Sequence, residues 1–216
     1  MLKSSIGRKI IMSLSGIFLI VFLTQHLIIN LTSLIPDDGG VFNMISHFMG
    51  HNPVVQFILQ PILILGVVVH FSMGIYLEIQ NQRSRQISYV KYSGKSGASW
   101  ASRNMIISGL VVLAFLIMHF YDFWVPEIKY KYIDYGPLDE TRYFYELQHK
   151  FQGELTRVVM YCCSFILLGL HLAHGFASSL QSMGITKGPI KIATKAFAVI
   201  VPMGFVFIAI FHYIFH

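Results

Sequence analysis

The sequence predicts an all-α integral membrane protein, five transmembrane helices in one bundle, and three observations carry that reading. The 216 residues are 55% hydrophobic and only 12% charged, about half the charge of an ordinary soluble domain, with a mean hydropathy of +0.61. Apolar runs close to the roughly 20 residues that cross a bilayer fall at about 10–34, 54–80, 104–125, 155–181 and 192–214. One stretch is also written twice. Ser15-Gly16, Phe22-Leu23 and His26 return 93 residues later as Ser108-Gly109, Phe115-Leu116 and His119. A second echo links His70 and Gly74 to His171 and Gly175, with Gln80 and Gln181 ten residues after each histidine.

Taken in order, residues 1–9 form a short basic lead. The first run is too long for a secretory signal and contains His26 itself. It stops before Pro36-Asp37-Asp38-Gly39-Gly40, a strong turn signal. Phe42, Met44, Ile45, Phe48 and Met49 then alternate with polar residues as in a short interfacial helix. The second run opens at Pro53, a favoured first-turn position, and Pro61, about two turns further on, is expected to bend it. The loop 81–102 is basic and rich in Ser and Gly, closing on Trp100. The third run carries the repeated motif out to His119, Asp122 and Trp124. The segment 126–154 is rich in tyrosine, and an amphipathic surface helix is expected over 138–150. The fourth run passes His171 and His174, and the fifth is kinked at Pro202. The whole chain, 1–216, reads as a single transmembrane domain. Its longest inter-helix segment is too short for a catalytic domain, so chemistry on a soluble substrate belongs to a partner.

With the N-terminus on the cytoplasmic side, that side carries eleven Lys and Arg residues and the other side five. This places the N-terminus in the cytoplasm and the C-terminus outside. Cys162 and Cys163 lie inside an apolar run and read as small buried residues.

Four of the five runs carry a histidine in a repeated setting. One polar side chain in lipid can be an interhelical hydrogen bond, but four on four helices ask for a function. A rise of about 1.5 Å per residue puts His26 and His119 roughly 6–8 Å to one side of the helix midpoints. The same arithmetic puts His70 and His171 roughly 4–5 Å to the other, giving two layers about 10–12 Å apart. Two imidazoles facing each other at one depth are what bis-histidine ligation of haem iron requires. The expected architecture is therefore a five-helix bundle enclosing two stacked b-type haems. Gly74 and Gly175 follow their histidines by one turn on the same face, where a flat macrocycle can lie. Gly16 and Gly109 precede His26 and His119 by about 15 Å of helix, at the depth of the other layer; ordinary small-residue packing is the competing account. His174 competes with His171, which is preferred because His70-x3-Gly74 matches His171-x3-Gly175. No phosphate-binding glycine loop, CxxC pair, zinc motif or nucleic-acid module is present, so no nucleic-acid partner is expected.

The residues that carry these patterns resemble a known family. They are Gln25-His26 to Asn30, Phe42-Asn43 with Phe48-Met49, and His70-x3-Gly74-x-Tyr76. Ser108-Gly109-x9-His119 and His171-Leu172-Ala173-x-Gly175 with Met183-Gly184-Ile185 complete the set. Over nearly the whole chain, the sequence is similar to the five-helix, two-haem cytochrome b membrane anchor of succinate dehydrogenases and fumarate reductases. The resemblance implies two haem b groups and a flavoprotein with FAD and an iron–sulfur protein docked on the cytoplasmic face. It implies electron transfer between succinate and a quinone, commonly menaquinone, with no dicarboxylate site on this chain. It assigns His70 and His171 to the haem nearer those subunits, and His26 and His119 to the outer haem.

One position departs from the pattern. Some members carry an acidic residue two positions before the fourth-helix ligand, where this chain has Gly169, which puts coupled proton movement in doubt. Asn30, Asn43, His47 and Asp122 are candidates for the quinone vicinity by depth. Ser15, Trp100, Arg103 and Arg157 are candidate donors to haem propionates. The competing readings are the di-haem anchor of a hydrogenase or formate dehydrogenase and, further off, a proton-coupled transporter with a histidine relay.

Overall fold

A computed structural model describes residues 4–83, 104–186 and 188–215. Trp100, Arg103 and most of the basic loop between the second and third runs lie outside the described residues. Among the described residues every regular element is helical. The chain runs through α1 (Ser5–Leu31), α2 (Gly40–His51), α3 (Gln60–Arg83) and α4 (Met105–His119). It continues with α5 (Val125–Tyr132), α6 (Arg142–Phe151), α7 (Leu155–Ser182) and α8 (Gly188–Phe215). Five stretches are long and apolar enough to cross a membrane: Ser5–Leu34, Val55–Arg83, Met105–Tyr132, Leu155–Ser182 and Gly188–Phe215.

Polar residues inside the first span satisfy themselves on their own helix, as an apolar solvent demands. Thr24 Oγ1 donates to the Ile20 carbonyl (2.8 Å) and Asn30 Nδ2 to the His26 carbonyl (2.8 Å). Where α1 tightens into the 3₁₀ turn Thr32–Leu34, both hydroxyls fold back on the last turn: Thr32 to Ile29 (2.6 Å) and Ser33 to Asn30 (2.7 Å). The Pro36–Gly40 turn then reverses the chain. Asp37 accepts from the Gly39 and Val41 amides at the start of α2 (3.1 and 2.8 Å). Gly39 adopts φ +78°, and a Cβ there would run into the Phe144 ring, so glycine is required on both counts.

Prolines shape the remaining spans. Asn52 Oδ1 accepts from the Val54 and Val55 amides (2.9 and 3.3 Å), capping the helix that Pro53 opens. A π turn, Val55–Leu59, immediately precedes α3, two residues before Pro61. A second π turn, Phe120–Trp124, joins α4 to α5 two residues before Pro126. Each proline removes the donor to the carbonyl four residues back, and the wider turn accommodates the mismatch. The sequence reading ended the third helix near 125. In the structure it runs to Tyr132, the π turn Phe120–Trp124 carrying the helix past Pro126.

α2 and α6 lie together over one end of the bundle, called here the capped end; the other is the N-terminal end. Helices stand where the two short ones were expected, α6 beginning four residues later than read. Thr141 precedes it, and its first-turn amide Phe144 N–H is capped in trans by Asn43 Oδ1 (2.9 Å). The buried core joins this cap to α7 and α8, through Leu147, Phe151, Tyr161, Phe165, Phe205 and Ile208. By contrast, α3 and α4 contribute no buried residue.

Candidate functional site

The four repeated histidines meet in two pairs. His26 on α1 faces His119 on α4 with ring centroids 5.8 Å apart and planes at 84°. His70 on α3 faces His171 on α7 at 6.4 Å and 78°. His174, one turn on, makes no ring contact of this kind among the described residues. Two imidazoles on opposite sides of one metal, each bonded at about 2.0–2.1 Å, have centroids about 6 Å apart, and both pairs stand at that spacing.

Each pair is built by repeated sequence. One turn before His26, Phe22 stacks on its ring (5.5 Å, 17°), and Phe115 stacks in the same way on His119 (5.7 Å, 28°). Side chains four apart share a helix face, so the Phe-x3-His spacing fixes this stack in both copies. Ten residues earlier, each Ser-Gly dipeptide reaches the other pair. A Cβ on Gly16 would stand 3.3 Å from His70 Cε1, and one on Gly109 would stand 3.5 Å from His171 Cε1. The pairs are therefore separated by about 15 Å of α1 backbone. His26 and His119, whose side chains lean toward their helix N-termini, close part of that distance.

The serines beside these glycines bond to the same rings. Ser15 Oγ lies 3.1 Å from His70 Nδ1, and Ser108 Oγ lies 3.2 Å from His171 Nδ1. Gly74 and Gly175 are each faced by a methionine methyl, Met12 Cε at 3.7 Å and Met105 Cε at 3.3 Å from an added Cβ. Met12 and Met105 are again 93 residues apart. The sequence reading passed over them although the repeat that exposed the histidines also contains them.

These residues fit a bis-histidine haem. Two opposed imidazoles stand at ligation spacing, a glycine lies one turn from each member of the His70–His171 pair, and flexible methionine ends border those glycines. His119 Nδ1 is a buried nitrogen with no hydrogen-bond partner, whereas His70 and His171 have theirs. Among the described residues no cluster of three or more His, Cys, Asp or Glu side chains could hold a bare metal ion. The opposed histidines come in twos, the number that the two axial positions of a haem would take.

The other candidates are more dispersed. Asn30 Nδ2 donates to the His26 carbonyl and Asn43 Oδ1 accepts from the Phe144 amide. Asp122, one turn beyond His119, is buried and accepts from Tyr161 O–H (2.8 Å), with Arg157 Nε 3.7 Å away. Arg157 also donates to the Lys150 carbonyl (3.1 Å). Tyr161 contacts the Phe115 ring and lies 6.4 Å from His119. It was invisible in the sequence because one tyrosine in an apolar run carries no pattern. His47 stacks on His51 (5.3 Å) and packs edge-on to Tyr143 (4.8 Å). It borders a cavity of about 400 Å³ with Gln56, Tyr130 and Arg142. A larger cavity of about 740 Å³ lies on the other side of Arg142. Both cavities belong to the capped end and not to the histidine pairs.

Arg142 is the centre of that end. It pairs with Glu127 and with Glu146 (2.8 Å), and its guanidinium lies 4.1 Å from the Tyr130 ring centre and 4.4 Å from that of Tyr143. Glu127 also receives Lys131 (2.5 Å) and Tyr143 O–H (2.7 Å). The acids hold the Arg142 guanidinium protonated beyond its already high range. Burial, with Glu127 beside it, pushes the Tyr143 phenol above its usual value.

Fold and site together define a five-span helical membrane protein with two intramembrane histidine pairs. No family model, curated protein or solved structure matches the chain.

Proposed function

We propose that this chain is the haem-binding membrane anchor and quinone-reactive cytochrome b subunit of a succinate:quinone oxidoreductase. Two haem b groups are held, one by His70 and His171 and one by His26 and His119. The observation that carries the reading is the doubled site: opposed imidazoles at ligation spacing occur twice, on four helices, each built from repeated residues. Haem bound at each pair supplies a one-electron iron couple. The chain's own residues orient the ligands through Phe22, Phe115, Ser15 and Ser108, and the lipid-facing helices keep bulk water away. The resemblance of the histidine and glycine motifs to succinate dehydrogenase and fumarate reductase anchors supports the choice of complex.

The flavoprotein and iron–sulfur subunits dock at the N-terminal end, on the cytoplasmic side of a bacterial-type membrane. The charge balance supports that orientation. The capped end carries five Lys and Arg residues against eleven on the N-terminal side, and it is this Lys/Arg count that sets orientation. The quinone, menaquinone by resemblance, is taken at the capped end. The cavity beside His47 is within the volume range of small-molecule sites, and His47 Nε2 is a buried nitrogen with no hydrogen-bond partner.

The test is haem quantitation and a reduced-minus-oxidised spectrum on the purified complex, with succinate as donor. Two low-spin b haems per chain, reduced by succinate, is the expected result. Absence of haem would overturn the reading. Haems reduced by hydrogen or formate and not by succinate would replace the complex with another membrane redox enzyme.

A further inference from the structure

The Ser15–His70 and Ser108–His171 contacts are one bond made twice, and their polarity can be worked out. A serine hydroxyl has one proton to give. Ser15 Oγ donates it to the Met12 carbonyl (3.0 Å) and Ser108 Oγ to the Met105 carbonyl (2.9 Å), each three residues back. The remaining lone pairs face the imidazoles, so each serine oxygen accepts from Nδ1–H. With Nδ1 protonated, the free lone pair of the ring sits on Nε2, the nitrogen left for ligation. Gly16 and Gly109, the next residues, leave room for the rings: an added Cβ would stand 3.3 Å from His70 Cε1 and 3.5 Å from His171 Cε1. No equivalent contact is made by His119, whose Nδ1 has no partner.

We infer that Ser15 and Ser108 are positioning residues for the His70–His171 pair, fixing its tautomer and orientation and increasing the basicity of both ligands. The inference rests on the haem reading above. An acceptor on the far nitrogen of a metal-bound imidazole raises ligand basicity, which favours ferric over ferrous iron and lowers the potential of that haem alone. The serine motif of one histidine pair thereby acts on the other pair.

The experiment is an equilibrium redox titration, followed optically, of the purified complex carrying Ser15→Ala, Ser108→Ala, Ser15→Thr or Ser108→Thr. The haem concerned is identified as the one missing in a His70→Ala complex. Each alanine variant is expected to raise the ferrous-to-ferric ratio of that haem about tenfold at fixed ambient potential, an upward shift of about 59 mV for a one-electron couple. The other haem should not move. The threonine variants keep the hydroxyl and its backbone bond and are expected to titrate as wild type. Alanine variants that titrate as wild type, threonine variants that shift as far as alanine, or an equal shift in both haems would each overturn the inference. Should an alanine variant not assemble, Ser→Cys at the same position keeps the volume and weakens the acceptor. An upward shift there supports the assignment, and none overturns it. A wild-type complex without haem overturns the functional reading itself, which separates the two failures.

Discussion

Gly169 on α7 stands so close to α8 that a Cβ there would lie 3.0 Å from the Ala198 carbonyl oxygen. That carbonyl is the one deprived of its helical donor by Pro202, four residues on. Pro202 Cγ itself would lie 3.5 Å from the same Cβ. The helices meet here backbone to backbone, a Cα–H facing a carbonyl with no donor in its own helix. An acidic side chain at this position has no room, which is a packing reason for the departure from the pattern of the resembled family. Gly169→Ala should destabilise the bundle by about 1–3 kcal/mol, and Gly169→Glu by more. Thermal melting in detergent checks this; an unchanged midpoint for both variants would count against the close approach.

The two histidine pairs share no residue, so on the proposed haem reading they should fail separately. His119→Ala is expected to remove one haem and leave the other, with protein level unchanged. His174→Ala should retain both, since His171 and not His174 faces His70. Pyridine haemochrome quantitation on the two purified variants reads the outcome directly. Loss of a haem in the second variant would reassign the ligand.

Glu127 gathers Lys131, Arg142 and Tyr143 at one carboxylate that is 18% exposed. Glu127→Gln keeps the shape and removes the charge, leaving a largely buried guanidinium with Glu146 alone. A loss of about 3 kcal/mol is expected, the range for breaking a buried pair on one side. The local sign should be faster proteolysis in the segment 133–141, which joins α5 to α6. Equal cleavage rates in wild type and variant would show that the ion cluster does not hold the cap.

Tyr143 gives the cap a pH dependence of defined sign. Burial and Glu127 raise its pKa above the unfolded value of about 10. The folded state therefore holds the proton more tightly than the unfolded one. The stabilisation is fully present below about pH 10 and declines as pH rises beyond it. The melting difference between wild type and Tyr143→Phe should be constant from pH 7 to 9 and shrink above pH 10. A difference that grows with alkalinity would reverse the assignment.

Much of this protein was legible in its sequence, and for a physical reason. A lipid solvent admits long apolar helices and little else, so five runs of about the right length determined five spanning helices. The 93-residue repeat then marked Phe22 and Phe115, and His26 and His119, as equivalent pairs, and the structure showed that each phenylalanine stacks on its histidine. Turn chemistry placed the Pro36–Gly40 reversal and Pro53 marked the start of the second span. The helix end at Tyr132 was misread because Pro126 looks like a terminator until the π turn before it is seen. What tertiary structure alone decided is what each repeated residue touches. Ser15 reads as a propionate donor in the sequence, yet its oxygen meets His70 on another helix. Asn43 reads as lying in the quinone vicinity by depth, and the structure adds that it caps α6 across the fold. The cluster around Glu127 and Arg142 is drawn from α5 and α6, whose charges are unremarkable in one dimension. Helix identity follows from local spacing and solvent, whereas these bonds join residues 15 to 101 positions apart and depend on how the helices are rotated against one another.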